Sequence, residues 1–239
     1  MRKAKALGAD VVQICDNLPL HQMDRDELRE LRDAARDMGM AIQVGTRGVG
    51  PDRLRDYLEV ANLSGAKLLR TTIHSANLRP TIEQAAASLR EVLPQFAEAG
   101  IAIALENHES YRSRELAQLV EGVNSPYLGI CLDTVNSFGA LEGPAQTIAG
   151  LAPHAINLHV KDFDVVRVEN QMGFAIVGRP AGEGRLDVEW LFNRVRQEGK
   201  EPDAILELWT PFADNVENTM LMEEEWASRS MRFLRGKVR

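Results

Sequence analysis

The run Ile101–Glu106, which reads Ile-Ala-Ile-Ala-Leu-Glu, decides how the rest of the chain is interpreted. Five apolar residues in succession are typical of a strand buried on both faces of a parallel sheet. The run ends on a carboxylate, and barrel enzymes build their active sites at the carboxyl ends of their strands. The same combination, an apolar run followed by a polar group, recurs along the chain.

Runs of this kind predict seven strands, several of them rich in β-branched residues. They are Val11–Cys15, Ala41–Val44, Lys67–Thr72, Ala102–Leu105, Gly129–Leu132, Ile156–Val160 and Ala204–Leu208. The stretches between them carry apolar residues at helical spacing, and several begin at Asp, Ser or Thr, which cap helices. The predicted helices are Asp24–Met38, Asp52–Ser64, Thr81–Ala99, Ser113–Val123, Asp187–Glu198 and Val216–Leu234.

The alternation of strands and helices predicts an α/β fold with a parallel sheet in one domain, residues 1–239. An eight-stranded barrel leaves no exposed sheet edge, so we expect a (β/α)8 TIM barrel. Arg2–Gly8 resembles the end of a helix, which places the first strand and most of that helix before Met1. The alternative is a doubly wound open sheet, but no glycine-rich phosphate loop follows any strand.

A long segment without an assigned strand or helix separates two of the predicted elements. It is interpreted as an insertion-like loop from about Phe163 to Arg185, which mixes glycines with apolar and charged residues. Loops of this length usually have a function, and a lid that excludes water is one hypothesis. The alternative is a rigid insertion that covers the barrel rim.

Composition and charge exclude several classes of protein. The chain has 44% hydrophobic and 26% charged residues, which is ordinary for a globular protein, and a net charge of −7. An acidic balance argues against binding to nucleic acid, which needs a concentrated basic face. No apolar run is long enough to cross a membrane, and no leader peptide opens the chain, so no membrane partner is expected. Cys15 and Cys131 lie in apolar runs, which indicates buried thiols and a cytoplasmic location.

Four polar residues end successive predicted strands. They are Glu106, Asp133, His159 and Glu207. A buried charge is costly unless a partner compensates it, and three carboxylates that face one barrel axis repel one another. A bound cation removes that repulsion. Oxygen-rich ligation with one nitrogen suits Mn²⁺, and also Mg²⁺ or Co²⁺, better than a structural Zn²⁺ site.

Four segments carry a resemblance to a known superfamily. They are Leu-Glu-Asn-His (105–108), Cys-Leu-Asp-Thr-Val-Asn (131–136), Leu-His-Val-Lys-Asp (158–162) and Leu-Glu-Leu-Trp (206–209). They resemble the metal-ligand strands of the xylose-isomerase-like TIM-barrel superfamily of sugar isomerases and epimerases. The resemblance implies that Glu106, Asp133, His159 and Glu207 hold the metal, and that Glu106 and Glu207 form the acid/base pair.

The chemistry of such a site can be argued from its ligands. A divalent ion that grips a carbonyl and a neighbouring hydroxyl stabilises an enediolate, which isomerases, epimerases and lyases share. A metal-dependent isomerase or epimerase of a sugar or keto-sugar is therefore expected. The epimerases that this chain resembles carry the motif Asp-x-x-His on the strand that corresponds to Asp133. In this chain Asn136 takes the position of the motif's histidine. The segments that contain Glu106, Asn136 and Glu183 also resemble the 3-oxo-isoapionate decarboxylase branch.

Five further residues are candidates for the pocket. His108 is a candidate proton donor, and Lys161 is a candidate group for binding a substrate carboxylate, unless it neutralises Asp162 or Glu183. Asn107 and Asn136 are candidate hydrogen-bond donors to sugar hydroxyls. Trp209 is a candidate for stacking on a sugar face or for filling the core.

Three other functions remain as alternatives. A lyase on the same metal site, either a decarboxylase of a 3-oxo sugar acid or a dehydratase, is the closest one. A catalytically inactive barrel that binds a small sugar or sugar acid is another. An endonuclease is disfavoured because that branch carries extra His and Asp ligands and a basic groove. Exposed strand edges predict association into a homo-oligomer.

Overall fold

The computed structural model describes residues 1–169 and 172–238. In these residues seven parallel strands form one sheet that curves into a nearly closed barrel. The barrel strands are β1 (Val11–Ile14), β2 (Ala41–Gly45), β3 (Leu68–Thr71), β4 (Ala102–Glu106), β5 (Leu128–Asp133), β6 (Ala155–Val160) and β9 (Asp203–Leu206). A separate antiparallel ribbon follows β6, and its strands are β7 (Asp162–Arg167) and β8 (Phe174–Arg179).

Helices alternate with the barrel strands and cover the outside of the sheet. They are α1 (Arg2–Ala6), α2 (Arg25–Asp37), α3 (Pro51–Ser64), α4 (Ile82–Ala99), α5 (Ser113–Val123), α6 (Pro144–Leu151), α7 (Val188–Gln197) and α8 (Val216–Arg235). Short 3₁₀ turns occur at Leu20–Gln22, Asn136–Ala140 and Ala152–His154. In the part of the chain that the structure describes, none of the helices has the length and apolar character needed to cross a bilayer.

The helix boundaries follow from local chemistry. Asp24 and Thr81 each accept hydrogen bonds from the first backbone amides of the helix that follows, and both form a capping box. Gly65 and Gly100 end α3 and α4 with φ angles of 74° and 63°. Residues with a side chain rarely adopt this left-handed conformation, so glycine marks the helix ends that the sequence predicts.

Strand alternation divides the buried side chains into two layers. Ile103 and Leu105 of β4 point outward and belong to the main core, which α4 closes with Leu89 and Phe96. Ala104, between them, points into the barrel. The outer layer is apolar and supplies most of the burial, whereas the inner layer contains most of the polar groups described below.

Strand register aligns the carboxyl ends of neighbouring strands. Glu106 on β4 is level with Cys131, and Asp133 on β5 is level with His159 on β6. The last pair between β6 and β9 is Val160 with Leu206, one residue before Glu207. Because paired residues share a level, the polar residues that end these strands are brought to the same rim.

The strands and helices confirm most of the sequence prediction. All seven predicted strands lie in the sheet in chain order. A barrel has this order, whereas in a doubly wound sheet the strand order reverses at one point. All six predicted helices are present, and the sequence prediction missed α6. α6 begins at Pro144 and is only eight residues long, so its helical periodicity is weak.

About half of the segment 163–185 is a two-stranded ribbon and not a loop, which corrects the sequence interpretation. Its two strands, β7 and β8, pair from Asp162 with Arg179 to Arg167 with Phe174. Their β-branched and aromatic residues favour extended backbone over loop. Residues 170 and 171 of this segment lie outside the described residues.

The barrel has an open side between β1 and β9. In the register of the sheet, β1 pairs with β2 and β9 pairs with β6, so each strand has one edge without a strand partner in the described residues. A cleft of about 1280 Å³ lies along this side, between the two strands, α1 and α8. Unpaired strand edges are templates for pairing with another chain.

The open side predicts association between copies of this chain. We expect native mass spectrometry across a concentration series to show a dimer or larger species that grows with concentration, because unpaired backbone groups gain partners on association. A folded monomer at every concentration would contradict this prediction.

Candidate active site

Four side chains gather at the rim where β4, β5, β6 and β9 end. Glu106, Asp133 and His159 are almost completely buried, and Glu207 is partly exposed. The Nδ1 atom of His159 lies 2.8 Å from Glu207 Oε2, 3.5 Å from Glu106 Oε2 and 3.9 Å from Asp133 Oδ2. The structure therefore brings together the four residues that the sequence singles out as metal ligands.

Three polar atoms in this group are buried and make no hydrogen bond of regular geometry, although ion-pair partners lie within 3.0 Å of them. They are Asp133 Oδ2, His159 Nδ1 and Glu207 Oε2. One ligand atom from each of these residues lies within 4.8 Å of the others. Carboxylate oxygens that converge on one imidazole nitrogen, with Lys161 as a nearby ion-pair partner, have the arrangement of ligands around a common ion. The oxygen-rich donor set fits a hard divalent cation.

A second set of residues offers ligand atoms close together, namely Glu106, Cys131 and His159. Burial raises the pKa of the Cys131 thiol well above its ordinary value. A thiol binds metal as the thiolate, so this group is a weaker candidate than the carboxylates. Its Sγ atom lies 3.3 Å from Asn157 Oδ1, to which a protonated thiol can donate.

Two buried cations balance the carboxylates. Arg70 on β3 donates through Nε to Glu106 Oε2 and through Nη1 to the carbonyl of Thr46, 3.1 Å away. The Nζ atom of Lys161 lies 3.0 Å from both Asp133 Oδ2 and Glu207 Oε1. Burial in a site of low polarity favours the neutral forms of these groups. The ion pairs counteract burial and favour the charged forms.

The pKa values of the carboxyl groups depend on which influence dominates. Burial raises the pKa of Glu106, but Arg70 and His159 outweigh burial and hold it below the ordinary value. At Glu207 burial is outweighed by His159 and Lys161, and its pKa is lowered to about 2. At Asp133 burial dominates over Lys161, and its pKa is raised. The same carboxylates raise the pKa of Lys161 against the effect of burial.

Glu106 is held at both of its oxygens. Arg70 occupies Oε2, and Asn136 Nδ2 donates to Oε1 at 2.6 Å. The carbonyl oxygen of Asn136 in turn lies 3.4 Å from Lys161 Nζ. Asn136, predicted to contact substrate, therefore links a carboxylate to the lysine at the rim of the site.

Asp133 is positioned by the loop that follows β5. Its Oδ1 accepts from the backbone amides of Val135 and Asn136 at 2.8 and 2.7 Å. Asn107 fixes the same strand end, since Oδ1 accepts from Asp133 N while Nδ2 donates to Asp133 O and Ser137 Oγ. These bonds favour a positioning role for Asn107 over the predicted contact with sugar.

Two other predicted residues lie farther out. His108 follows β4 on a loop, where its partly exposed ring has Nδ1 3.4 Å from Glu109 Oε1. Trp209 is 46% exposed and lies against Gly178 of β8, so it does not fill the core. The proposed stacking of Trp209 on a sugar and proton donation by His108 stay predictions.

Asp162 anchors the antiparallel ribbon at the edge of the site. Its carboxylate accepts from the backbone amides of Phe163, Gly182, Gly184 and Leu186. The alternative that Lys161 neutralises Asp162 or Glu183 is wrong, because Lys161 pairs with Asp133 and Glu207 instead. The four bonds tie both ends of the ribbon to the barrel and favour the rigid-insertion interpretation at its base.

The sequence interpretation missed Arg70 and Gln13, which both point into the barrel. Arg70 lies within the apolar run of β3 and Gln13 within that of β1. The observation that singled out Glu106, a charged group in a buried strand, applies equally to Arg70. Gln13 carries no charge and is distant from His159 in the sequence, so only the three-dimensional structure shows their contact.

Known proteins resemble this chain in sequence and in structure. The 3-oxo-isoapionate decarboxylase of Pectobacterium atrosepticum is 37% identical over 227 residues, which span 95% of this chain and 82% of that protein. A D-psicose 3-epimerase structure with D-tagatose from Clostridium cellulolyticum H10 has a TM-score of 0.79 at 16% identity, covering 99% of this chain and 92% of that one.

A third protein of the same fold was solved with a metal. A xylose isomerase-like TIM barrel protein from Mycobacterium smegmatis in complex with magnesium has a TM-score of 0.73 at 16% identity, covering 96% of this chain and 86% of that one. At these identities the two solved structures support the fold alone. The family model for the xylose isomerase-like TIM barrel matches residues 1–237, and the chain therefore belongs to this family of barrel enzymes.

Proposed function

We propose that this chain is a divalent-metal-dependent lyase that decarboxylates a 3-oxo sugar acid. The observation that carries the proposal is the state of Glu106, whose two oxygens are held by Arg70 and Asn136 and whose pKa is lowered. An epimerase of this type needs two carboxylates that take up and return a proton. A decarboxylase needs only one proton, and the similarity to a decarboxylase supports this choice.

The metal is assigned to the point where carboxylate oxygens and one imidazole nitrogen converge. Asp133 Oδ2, His159 Nδ1 and Glu207 Oε2 would hold it, with Glu106 alongside. A divalent ion bound there supplies electrophilic stabilisation to an oxygen that gains negative charge during the reaction. The donor set favours Mn²⁺, with Mg²⁺ or Co²⁺ as alternatives.

The reaction needs a group that protonates the enolate left after decarboxylation. When the bond between the carboxylate carbon and its neighbour breaks, the electron pair passes toward the adjacent keto oxygen and CO₂ leaves. The resulting enolate must then accept one proton at carbon. Lys161 is an ammonium group at the rim, linked to Asn136, and we assign it as the proton donor that is afterwards recharged from solvent.

The second candidate is the isomerase or epimerase that the sequence predicts. The observation in its favour is Glu207, a partly exposed carboxylate at the rim whose Oε2 lies 2.8 Å from His159 Nδ1. Such an oxygen can remove a proton from a carbon next to a carbonyl. The candidate then requires Glu106 to release Arg70 or Asn136 before it returns the proton.

The assignment of the metal predicts the behaviour of Glu207→Gln. The variant is expected to weaken Mn²⁺ binding by more than about 100-fold. Loss of a direct ligand should cost more affinity than loss of a residue that only orients a ligand. Titration calorimetry and the metal-induced rise in Tm measure the effect. Glu98→Gln, at an exposed carboxylate on α4, is the control. Equal affinity in Glu207→Gln and the parent chain would refute the assignment.

The role of Lys161 is separable from metal binding. Lys161→Met is expected to lower kcat by about 100-fold or more, since general acid catalysis contributes on this scale. Mn²⁺ affinity should be kept or increased, because a positive charge 3.0 Å from two ligand carboxylates is removed. Lys67→Met, at an exposed lysine, is the control. Unchanged kcat, or loss of Mn²⁺ binding together with activity, would rule out this role.

Product analysis distinguishes the candidates. In D₂O with Mn²⁺ and a 3-oxo sugar acid, we expect release of CO₂ and one deuterium at the carbon that carried the carboxylate, measured by NMR. A panel of ketoses should remain unchanged. Rearranged ketoses with incorporated deuterium would favour the isomerase instead. No turnover of any substrate by the metal-loaded chain would favour a binding protein.

A further inference from the structure

A row of side-chain amides crosses the barrel interior below the site. Gln13 Nε2 donates to Gln43 Oε1 at 2.9 Å and to Asn157 Oδ1 at 3.0 Å. Gln43 Nε2 donates to Asp203 Oδ2 at 2.7 Å, and Asn157 Nδ2 donates to Gln43 Oε1 at 3.0 Å. At the upper end of the row, Gln13 Oε1 lies 2.7 Å from His159 Nε2. The row thus connects the amino end of β9 with the metal site.

The direction of every bond in this row follows from its lower end. A carboxylate oxygen of Asp203 accepts from Gln43 Nε2, so Gln43 presents its NH₂ group there and its oxygen to the interior. That oxygen accepts from Gln13, which therefore turns its own oxygen toward His159. An amide oxygen cannot donate, so the Nε2 atom of His159 must carry the proton.

A second contact gives the same direction independently. The Sγ atom of Cys131 lies 3.3 Å from Asn157 Oδ1, in the geometry of a hydrogen bond that the thiol donates. Asn157 Oδ1 therefore acts as an acceptor and Asn157 Nδ2 as a donor to Gln43. Reversal of the row would place donor against donor at this contact.

We propose that Gln13 is a positioning residue that holds His159 with Nε2 protonated, so that the Nδ1 lone pair faces the ligand carboxylates. Asp203 and Gln43 set the orientation of Gln13 from the far end of the row. The inference rests on the proposed function, since it assigns His159 Nδ1 as a metal ligand. Outer partners of this kind orient a ligand imidazole and raise its basicity.

The contacts of His159 separate this role from simple filling of the barrel. Its two ring nitrogens have different surroundings, with Nε2 at hydrogen-bond distance from the amide oxygen of Gln13 and Nδ1 directed at the ligand carboxylates. A residue that only fills space needs no acceptor atom directed at Nε2. An aliphatic side chain of similar length at position 13 would leave Nε2–H buried and unpaired, at a cost in ring orientation.

Gln13→Leu and Gln13→Glu form the central test. Gln13→Leu removes the acceptor and is expected to weaken Mn²⁺ binding by about 10 to 100-fold. Gln13→Glu keeps an acceptor oxygen toward His159 but loses the donor to Gln43 and Asn157, so it should recover part of the affinity that Gln13→Leu loses. Thr147→Val, a buried polar-to-apolar exchange away from the row, is the control and should bind Mn²⁺ as the parent chain does.

A spectroscopic measurement on the parent chain needs no variant at position 13. With ¹⁵N-labelled histidine and diamagnetic Zn²⁺, long-range ¹H–¹⁵N spectra should show His159 with a protonated Nε2 and a metal-bound Nδ1. The chain has five histidines, and the signal that disappears in His159→Gln assigns the residue.

Asp203→Asn tests the far end of the row, and it should weaken Mn²⁺ binding less than Gln13→Leu but more than the nearby exposed control Glu201→Gln.

The outcomes separate this inference from the proposed function. Absence of Mn²⁺ binding in the parent chain overturns both. Binding by the parent chain with equal affinity in Gln13→Leu, or a protonated Nδ1 in the Zn²⁺-loaded parent, overturns the role of Gln13 and leaves the metal site in place. Weakened binding in Gln13→Leu with partial recovery in Gln13→Glu supports the inference.

Discussion

Repulsion among buried carboxylates is the constraint on which the rest of the site depends. Glu106, Asp133 and Glu207 lie around one imidazole at the rim of a barrel, where charges are poorly screened. Arg70 and Lys161 are two cations beside three carboxylates, so they offset only part of the negative charge. Carboxylates this close retain their charge only with compensation, and the proposed divalent ion would supply the part that the two cations do not.

The same constraint explains the polar interior of the barrel. Parallel barrels commonly fill their interior with branched apolar side chains, whereas here Gln13, Gln43 and Asn157 form a connected row of amides. A connected row leaves few unsatisfied groups, so polar residues can be buried without a large loss of stability. Stability is supplied mainly by the outer layer between strands and helices, and the inner layer is available for orienting the site.

The sequence predicted the barrel and the four gathered residues because both depend on local patterns. Apolar runs that end on Glu106, Asp133 and His159 mark strand ends, and parallel pairing then brings strand ends to one rim. It did not predict the ribbon β7 and β8, whose short strands form a sheet only by pairing with each other. Nor did it predict that Asn107 would be engaged by the backbone of β5, since such contacts connect residues distant in sequence.

Anomalous diffraction from crystals of the chain loaded with Mn²⁺ tests the central claim most directly. The account predicts one strong peak at the point shared by Asp133 Oδ2, His159 Nδ1 and Glu207 Oε2, with His159 Nε2 still bonded to Gln13. A site without a peak, in which Lys161 alone bridges Asp133 and Glu207, would contradict it and would show that the carboxylates are balanced by the protein's own cations.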